Sequence, residues 1–127
     1  MVNEDLLRQL FVKKSLKNNP DGFECQMKNS LSDATIVAPL KIVLSSETIG
    51  KETYKDFTIE LGESTIHNQE ISEQRPAPFV VGSLATLKFK RTTSLPSDKY
   101  KIRFVRLLTE EYGDIPFTMK ERIRDKI

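Results

Sequence analysis

Apolar and polar residues alternate along much of the chain, and a period of two is typical of half-buried β-strands. Within residues 22–29, Phe23, Cys25 and Met27 fall on one face, and the polar residues between them fall on the other. The same alternation recurs in residues 56–61 and 99–104 and, more weakly, in residues 39–44 and 85–89. Each of these segments is therefore predicted to form a β-strand with one face toward a core.

Turn-forming residues separate these segments. The run from Asn18 to Gly22 contains Pro20, which presets φ, and ends in a glycine that tolerates positive φ. It is expected to join a first strand, from about Phe11 to Lys17, to the next strand as a hairpin. Strands about every ten residues with turns between them predict an all-β fold, an antiparallel β-sandwich of about seven to eight strands. We expect a single domain over residues 1–127, with residues 1–10 as an N-terminal extension and residues 124–127 as a tail.

Helix is predicted only at the two ends of the chain. Asn3 can cap a short helical turn that carries Leu6, Leu7 and Leu10. At the other end two alternatives stay open. Phe117, Met119 and Glu121 indicate a last strand, whereas Met119, Ile123 and Ile127 have the spacing of a helix face.

Composition excludes several kinds of site. The 127 residues include one Cys and one His, so an internal disulfide, a Cys-rich zinc site and a two-His metal motif are all excluded. A net charge of +2 is too small by itself to indicate nucleic-acid binding. No apolar run approaches the length of a membrane span, and the acidic start lacks the apolar region of a signal peptide. We therefore expect a cytoplasmic protein that does not enter a membrane.

The sequence predicts neither a catalytic residue nor a metal ligand. His67 lies in a polar stretch without a framing Ser or Cys motif, so it is interpreted as an exposed loop residue. Cys25 lies on the apolar face of its predicted strand, where a free cysteine behaves as a small buried hydrophobe. A free-standing enzyme would need a pocket in which His67 meets carboxylates.

Two predicted strands carry cations on their outward faces. Lys99, Lys101 and Arg103 occupy one strand, and Lys88 and Lys90 occupy another. If the two strands are neighbours, their cations form one basic face that can bind phosphate groups or an acidic partner. No outward aromatic residue accompanies them as a stacking platform, so nucleic acid is not expected as a partner. The favoured interpretation is that exposed lysines prevent strands of different molecules from pairing.

A proline-rich loop is the candidate for a subunit interface. Arg75, Pro76, Pro78 and Phe79 combine a stiff backbone, one cation and a large apolar ring. Ordered loops with aromatic residues and arginine are common in protein interfaces. The alternative is that Phe79 closes the end of the core, and both interpretations stay open.

Several segments resemble the small β-subunit-type proteins of C-glycoside deglycosidases. The similarity spans about residues 11–123. It is carried by residues 11–18, 22–24, 28–36 and 78–82, and by Leu95-Pro96 followed by Tyr100. The resemblance implies a β-sandwich accessory subunit without a cofactor or catalytic residue of its own. It also implies a larger sugar-isomerase-like barrel subunit that holds a divalent metal, the complex cleaving the carbon–carbon bond between a 3-oxo-sugar and an aromatic aglycone.

One other function is weighed against this one. A standalone carbohydrate- or protein-binding module would bind sugar through an exposed row of aromatic residues such as Tyr54, Tyr112 or Phe117. A homo-oligomer is a further alternative for the partner.

Overall fold

The computed structural model describes residues 3–124, and within them strands dominate. One short helix, α1 (Glu4–Leu7), is followed by a 3₁₀ turn at Arg8–Leu10, and a second 3₁₀ turn lies at Asn68–Glu70. The described residues form thirteen strands: β1 (Lys17–Asn19), β2 (Gly22–Lys28), β3 (Ala34–Ile36), β4 (Lys41–Ser46), β5 (Gly50–Tyr54), β6 (Thr58–Leu61), β7 (Ser64–His67), β8 (Ala77–Phe79), β9 (Leu84–Lys90), β10 (Lys99–Arg106), β11 (Leu108–Thr109), β12 (Gly113–Asp114) and β13 (Phe117–Arg122).

The strands form three antiparallel sheets. The first sheet has the order β1-β2-β9-β6-β7, the second β13-β10-β4-β5, and the third β12-β11-β3-β8. The all-β prediction is therefore confirmed. The expected count of seven to eight strands is too low for the described residues, because β1, β3, β8, β11 and β12 have three residues or fewer. Strands that short contain too few positions for an alternation to be recognised.

Aromatic residues join the first two sheets. Phe23 of β2 faces Phe89 of β9, and their rings stack with centroids 4.6 Å apart. Tyr54 of the second sheet meets both rings edge-on, at 5.2 Å and 5.3 Å. Such edge-to-face contacts add to the stabilisation that burial alone provides. The first and second sheets therefore pack against each other as the two layers of a sandwich.

The N-terminal residues pack against this core. The side chain of Asn3 accepts a hydrogen bond from the Asp5 amide at 2.7 Å, so it caps α1 as predicted. Leu7 and Leu10 are buried, whereas Leu6 is 46% exposed. Arg8 donates from Nε to the Thr118 carbonyl at 3.0 Å, which fastens this segment to β13.

The prediction of the first strand needs correction, and the structure decides between the two alternatives for the C-terminal end. Residues 11–17 do not form a continuous strand, because Phe11 makes an isolated bridge to Met27 and Lys14 has a φ of 67°. A positive φ interrupts an extended strand, so β1 begins only at Lys17. At the C-terminal end the strand alternative is correct as far as Arg122, the end of β13. The helical alternative also rested on Ile127, which lies outside the described residues.

The hairpin between β1 and β2 forms where Asn18 to Gly22 predicted it. Asn19 Oδ1 accepts hydrogen bonds from the amides of Asp21 at 3.0 Å and Gly22 at 2.7 Å. A Cβ atom at Gly22 would lie 2.2 Å from the Phe89 carbonyl oxygen. Glycine is thus required here because the backbone of β9 approaches closely.

A buried asparagine connects elements of the two layers. Asn68 follows β7 and is fully buried. Its Oδ1 accepts from the Leu40 amide at 2.9 Å, and its Nδ2 donates to the Leu40 carbonyl at 2.8 Å and the Lys55 carbonyl at 2.7 Å. The amide side chain therefore pairs with Leu40 as a neighbouring strand would, just before β4 begins.

Candidate functional site

The five cations that would form one basic face if their strands were neighbours belong to two different sheets. Lys88 and Lys90 lie on β9, which sits between β2 and β6 in the first sheet. Lys99, Lys101 and Arg103 lie on β10, between β13 and β4 in the second sheet. These cations therefore do not share one face, because β9 and β10 are not neighbours.

Charges on the outward face of the first sheet are balanced. Lys88 lies opposite Glu24 across the β2–β9 pair, and its Nζ is 3.1 Å from Glu60 Oε2. The hydrogen bond from Lys88 to Glu60, with the charge of that carboxylate, raises the pKa of Lys88. On the neighbouring strand, Lys17 Nζ lies 4.0 Å from the other side of Glu24. This face follows the ordinary rule that opposite charges face each other across strands.

On the outward face of the second sheet, residues of like charge lie opposite each other. Across β10 and β13, Lys99 faces Arg122 and Lys101 faces Lys120. Across β10 and β4, beyond an irregularity in register, Arg106 faces Lys41. Directly opposite side chains have Cβ atoms only about 5 Å apart, and like charges in that position destabilise a sheet. Three like-charged pairs therefore lie within one sheet.

No carboxylate lies among the outward positions of the four strands of the second sheet. The outward positions that are not cationic hold Thr118, Val43, Ser45 and Thr53. Lys51 lies opposite Ser45 and adds another cation. None of these cations takes part in an ion pair within residues 3–124. We call this surface the basic sheet face; its cations are Lys41, Lys51, Lys99, Lys101, Arg103, Arg106, Lys120 and Arg122.

The one carboxylate on β5 is held on the inner side of the sheet. Glu52 faces inward beside Tyr54, and its two oxygens accept from Arg91 Nε at 3.0 Å and Nη2 at 2.8 Å. Hydrogen bonding to Arg91 is the largest cause of a lowered pKa at Glu52. The Tyr54 hydroxyl donates a further hydrogen bond to the same carboxylate. Glu52 is therefore fully engaged and does not neutralise the basic sheet face.

Two acidic residues of the described chain border this surface, Asp98 just before β10 begins and Glu47 in the turn after β4. Asp98 Oδ2 accepts from the Thr48 hydroxyl at 2.7 Å, and Asp98 Oδ1 accepts from the Lys99 amide at 2.7 Å. The Thr48 hydrogen bond is the largest cause of a lowered pKa at Asp98. Together with Glu47, Asp98 borders a shallow groove whose floor includes Lys51, Lys99, Lys101 and Lys120.

The basic sheet face suits a broad anionic surface. Four strands spaced by about 4.8 Å, with β10 rising about 3.3 Å per residue, give an area of about 14 Å by about 25 Å. Its charges are spread over that area and do not converge on one point. No aromatic residue occupies an outward position of these strands. The face thus offers long-range attraction and many weak contacts, without a platform for base stacking.

The proline-rich loop divides between surface and core. Arg75, Pro76 and Pro78 are exposed, as an interface would require. Phe79, however, is only 5% exposed, and its carbonyl oxygen accepts a hydrogen bond from Asn29 Nδ2 at 2.6 Å. Phe79 therefore closes the core, and the prediction that its ring lies in an interface is wrong.

His67 lies at the end of an edge strand and not in a loop. As the last residue of β7 it faces Thr58 and lines a polar cleft of about 600 Å³ together with Asp21, Glu24 and Asp56. Within residues 3–124 His67 forms no ion pair with a carboxylate, and no group of three or more acidic, His or Cys side chains is placed to hold a metal ion. The cleft thus lacks the oriented partner that a catalytic histidine needs.

Two further residue types have structural environments. Cys25 is buried, and this burial raises the pKa of its thiol to about 12. The three aromatic residues considered for sugar stacking do not form a row, because Phe117 is buried, Tyr54 is half-buried and Tyr112 alone is exposed.

A comparison with protein families overturns the resemblance stated from the sequence. Residues 6–124 match the family model described as Hydroxymethylglutaryl-CoA reductase, N-terminal domain. The C-glycoside deglycosidase assignment, the accessory-subunit function that it implied and the link to carbohydrate metabolism are therefore wrong, and the match does not support the alternative of a standalone binding module. The search of curated proteins returned no match. Within the described residues, no helix is long and apolar enough to span a membrane.

Proposed function

The chain belongs to the family of hydroxymethylglutaryl-CoA reductase N-terminal domains, and from this we propose that it binds the catalytic part of such a reductase. The contact surface is the basic sheet face, and the complementary surface on the reductase is acidic. The chemistry of reduction belongs, in this proposal, to the catalytic part and not to this chain.

One observation carries the proposal: three like-charged pairs lie across the strands of a single sheet, with no acid among them. Such pairs lower the stability of the isolated sheet. Departures from a local rule of this kind are expected at functional sites, where the cost is offset by what the site binds. An acidic surface laid over Lys99, Lys101 and Lys120 would convert repulsion within the sheet into attraction across an interface.

The shape of the face favours a protein surface as the partner. The cations are distributed over four strands and lie on a broad face without a stacking platform. Electrostatic complementarity between two such surfaces accelerates association and fixes their relative orientation. The balanced charges around Lys88, Glu24 and Glu60 on the first sheet leave that side of the sandwich without such a pull.

Titration calorimetry of the chain with the separately produced catalytic part of the reductase tests this function. We expect binding that weakens steeply between about 50 mM and about 300 mM salt, because exposed charges are screened over that range. A double variant, Lys101→Glu with Arg103→Glu, should weaken binding by about tenfold or more. The control is Lys28→Glu, which reverses an exposed lysine on β2 in the first sheet and should leave binding unchanged.

Three outcomes would contradict the proposal. The double variant and the control could bind equally well, the affinity could be independent of salt, or duplex DNA could displace the reductase at equal concentration. The first two would remove the basic sheet face from the interface, and the third would identify nucleic acid as its ligand. Sedimentation of the chain alone would show in the same samples whether it forms a homo-oligomer.

Two further expectations from the sequence, on cofactors and on location in the cell, belong to the proposal. We propose that this chain carries no cofactor of its own and works in the cytoplasm. The lone thiol of Cys25, buried on the inner face of β2, suits a reducing compartment.

A further inference from the structure

An apolar cleft separates the N-terminal helix from the third sheet. Its volume is about 340 Å³, within the range of small-molecule sites in proteins. The helix side and the sheet side both contribute aliphatic side chains to its walls, and the cleft holds no charged side chain. The apolar walls include Leu6, Leu7 and Leu10 of the N-terminal segment and Ala34, Ile36 and Phe79 of the third sheet.

The buried polar side chains that line the cleft are already engaged with the protein. Asn29 Nδ2 donates to the Ser32 carbonyl at 2.7 Å and to the Phe79 carbonyl at 2.6 Å, while its Oδ1 accepts from the Leu31 amide at 3.0 Å. The Thr109 hydroxyl is likewise held by backbone groups. Within residues 3–124, no buried side-chain nitrogen or oxygen lacks a hydrogen-bond partner. A ligand inside the cleft would therefore find apolar surface and no counter-charge.

One pair of hydroxyl groups at the surface of the cleft can still form a hydrogen bond with a ligand. Ser32 Oγ and Tyr112 OH are hydrogen-bonded to each other, and both residues are exposed. Each oxygen retains acceptor capacity, so the pair can receive a hydrogen bond from a ligand hydroxyl. Leu6, which is 46% exposed, gives the cleft a second exposed wall. The cleft thus combines an apolar interior with hydroxyl groups at its surface, those of Ser30 and of the Ser32–Tyr112 pair.

The wall formed by the N-terminal segment is held in place. Arg8 donates to the Thr118 carbonyl of β13 at 3.0 Å and to Glu4 Oε2 at 2.8 Å. Leu7 and Leu10 are buried on the side that lines the cleft. The cleft is therefore formed before a ligand arrives, which lowers the entropic cost of binding.

The size of the cleft sets the size of the ligand. An engineered apolar cavity of about 150 Å³ stays dry and binds benzene. A cleft of about 340 Å³ has more than twice that volume. We propose that it binds one uncharged aliphatic chain of about ten to twelve carbon atoms, with a hydroxyl-like polar end at the Ser32–Tyr112 pair. This site shares no residue with the basic sheet face, so a test that contradicts one of the two proposals leaves the other unaffected.

Titration of the isotope-labelled chain with decanol, followed by NMR, tests the site. We expect saturable shifts confined to residues that line the cleft. Decanoate should bind about tenfold more weakly than decanol, because an ionised carboxylate cannot donate the hydrogen bond that the Ser32–Tyr112 pair accepts. Ala34→Leu adds three carbon atoms to the cleft wall and should weaken decanol binding by about fiftyfold, since each displaced methylene carries about 0.8 kcal/mol of transfer free energy. Thr53→Leu places the same leucine side chain at an exposed position of β5, outside the cleft, and should change nothing.

A second variant keeps the test decisive if Ala34→Leu fails to fold. Tyr112→Phe removes one hydroxyl from an exposed side chain and should lower the affinity for decanol by about fivefold, the value of one hydrogen bond. The proposal is overturned if decanol shifts no cleft residue, if decanoate binds as tightly as decanol, or if a folded Ala34→Leu chain binds decanol like the wild type. It is also overturned if Tyr112→Phe leaves the affinity unchanged.

Discussion

Reversing the charge of Lys120 should make the isolated chain more stable. Lys120 lies directly opposite Lys101 across β13 and β10. Its diagonal neighbours on β10 are Lys99 and Arg103, so all three nearest cross-strand positions are cationic. A glutamate at this position would replace three repulsive contacts by three attractive ones. Surface substitutions toward the opposite charge are seldom this favourable, because most surfaces already alternate in sign.

The expected gain follows from the register. A directly opposite pair of unlike charges contributes about 0.2–1 kcal/mol, and a like-charged pair costs a similar amount. Lys120→Glu should therefore raise the free energy of unfolding by about 1 kcal/mol. For a domain of this size that corresponds to an increase in melting temperature of about 4 °C. Lys120→Gln removes the repulsion without adding attraction and should show about half of the gain.

Urea denaturation at low and high salt measures this gain. At about 1 M salt the Debye length falls to about 3 Å, so the difference between Lys120→Glu and the wild type should largely disappear. Lys28→Glu is the matched control, because its cross-strand partner is Leu84 and no cation faces it. A Lys120→Glu chain that is no more stable than the wild type, or whose gain persists at high salt, would refute the claim of uncompensated repulsion on this face.

Two other substitutions and one labelling reaction test the fold. Gly22→Ala should cost about 3 kcal/mol, because its Cβ would lie 2.2 Å from a carbonyl oxygen of β9; a near-neutral effect in urea denaturation would contradict this close approach. Asn68→Ala should cost about 3 kcal/mol, because it leaves the Leu40 amide and carbonyl unpaired, whereas Gln69→Ala beside it should be neutral. Cys25, whose thiol pKa is about 12, should resist iodoacetamide at pH 8 until the chain unfolds, and rapid labelling of the folded chain would show that the thiol is accessible.

The longer strands could be predicted because their inner faces are regular. The apolar sequence of Phe23, Cys25 and Met27 matches the buried positions of β2. The edge strands β5 and β7 were missed because they contain few apolar residues, among them Tyr54 and Ile66, and bury little surface. Backbone hydrogen bonds to neighbouring strands hold them in the sheets. Such bonds leave no alternation of apolar residues in the sequence, so the pattern could not predict these strands.

The candidate site could be predicted only in part. The outward cations of β10 were recognised from the alternation of Lys99, Lys101 and Arg103 with apolar residues. Their true neighbours on β13 and β4 could not be recognised, because strand order depends on contacts between segments distant in the chain. Lys120 and Lys41 were therefore not included, although each lies within a segment that was considered as a strand. The net charge of only +2 does not indicate this local concentration of cations, because the acidic residues that offset them lie on other parts of the molecule.

The affinity of the Lys120→Glu chain for the catalytic part of the reductase tests the central claim most directly. This variant is expected to be more stable than the wild type, so weaker binding cannot be attributed to unfolding. If the basic sheet face binds an acidic surface, the dissociation constant at about 50 mM salt should rise by about tenfold, and its dependence on salt should become less steep. A Lys120→Glu chain that binds with the affinity and salt dependence of the wild type would show that the face is not the contact surface.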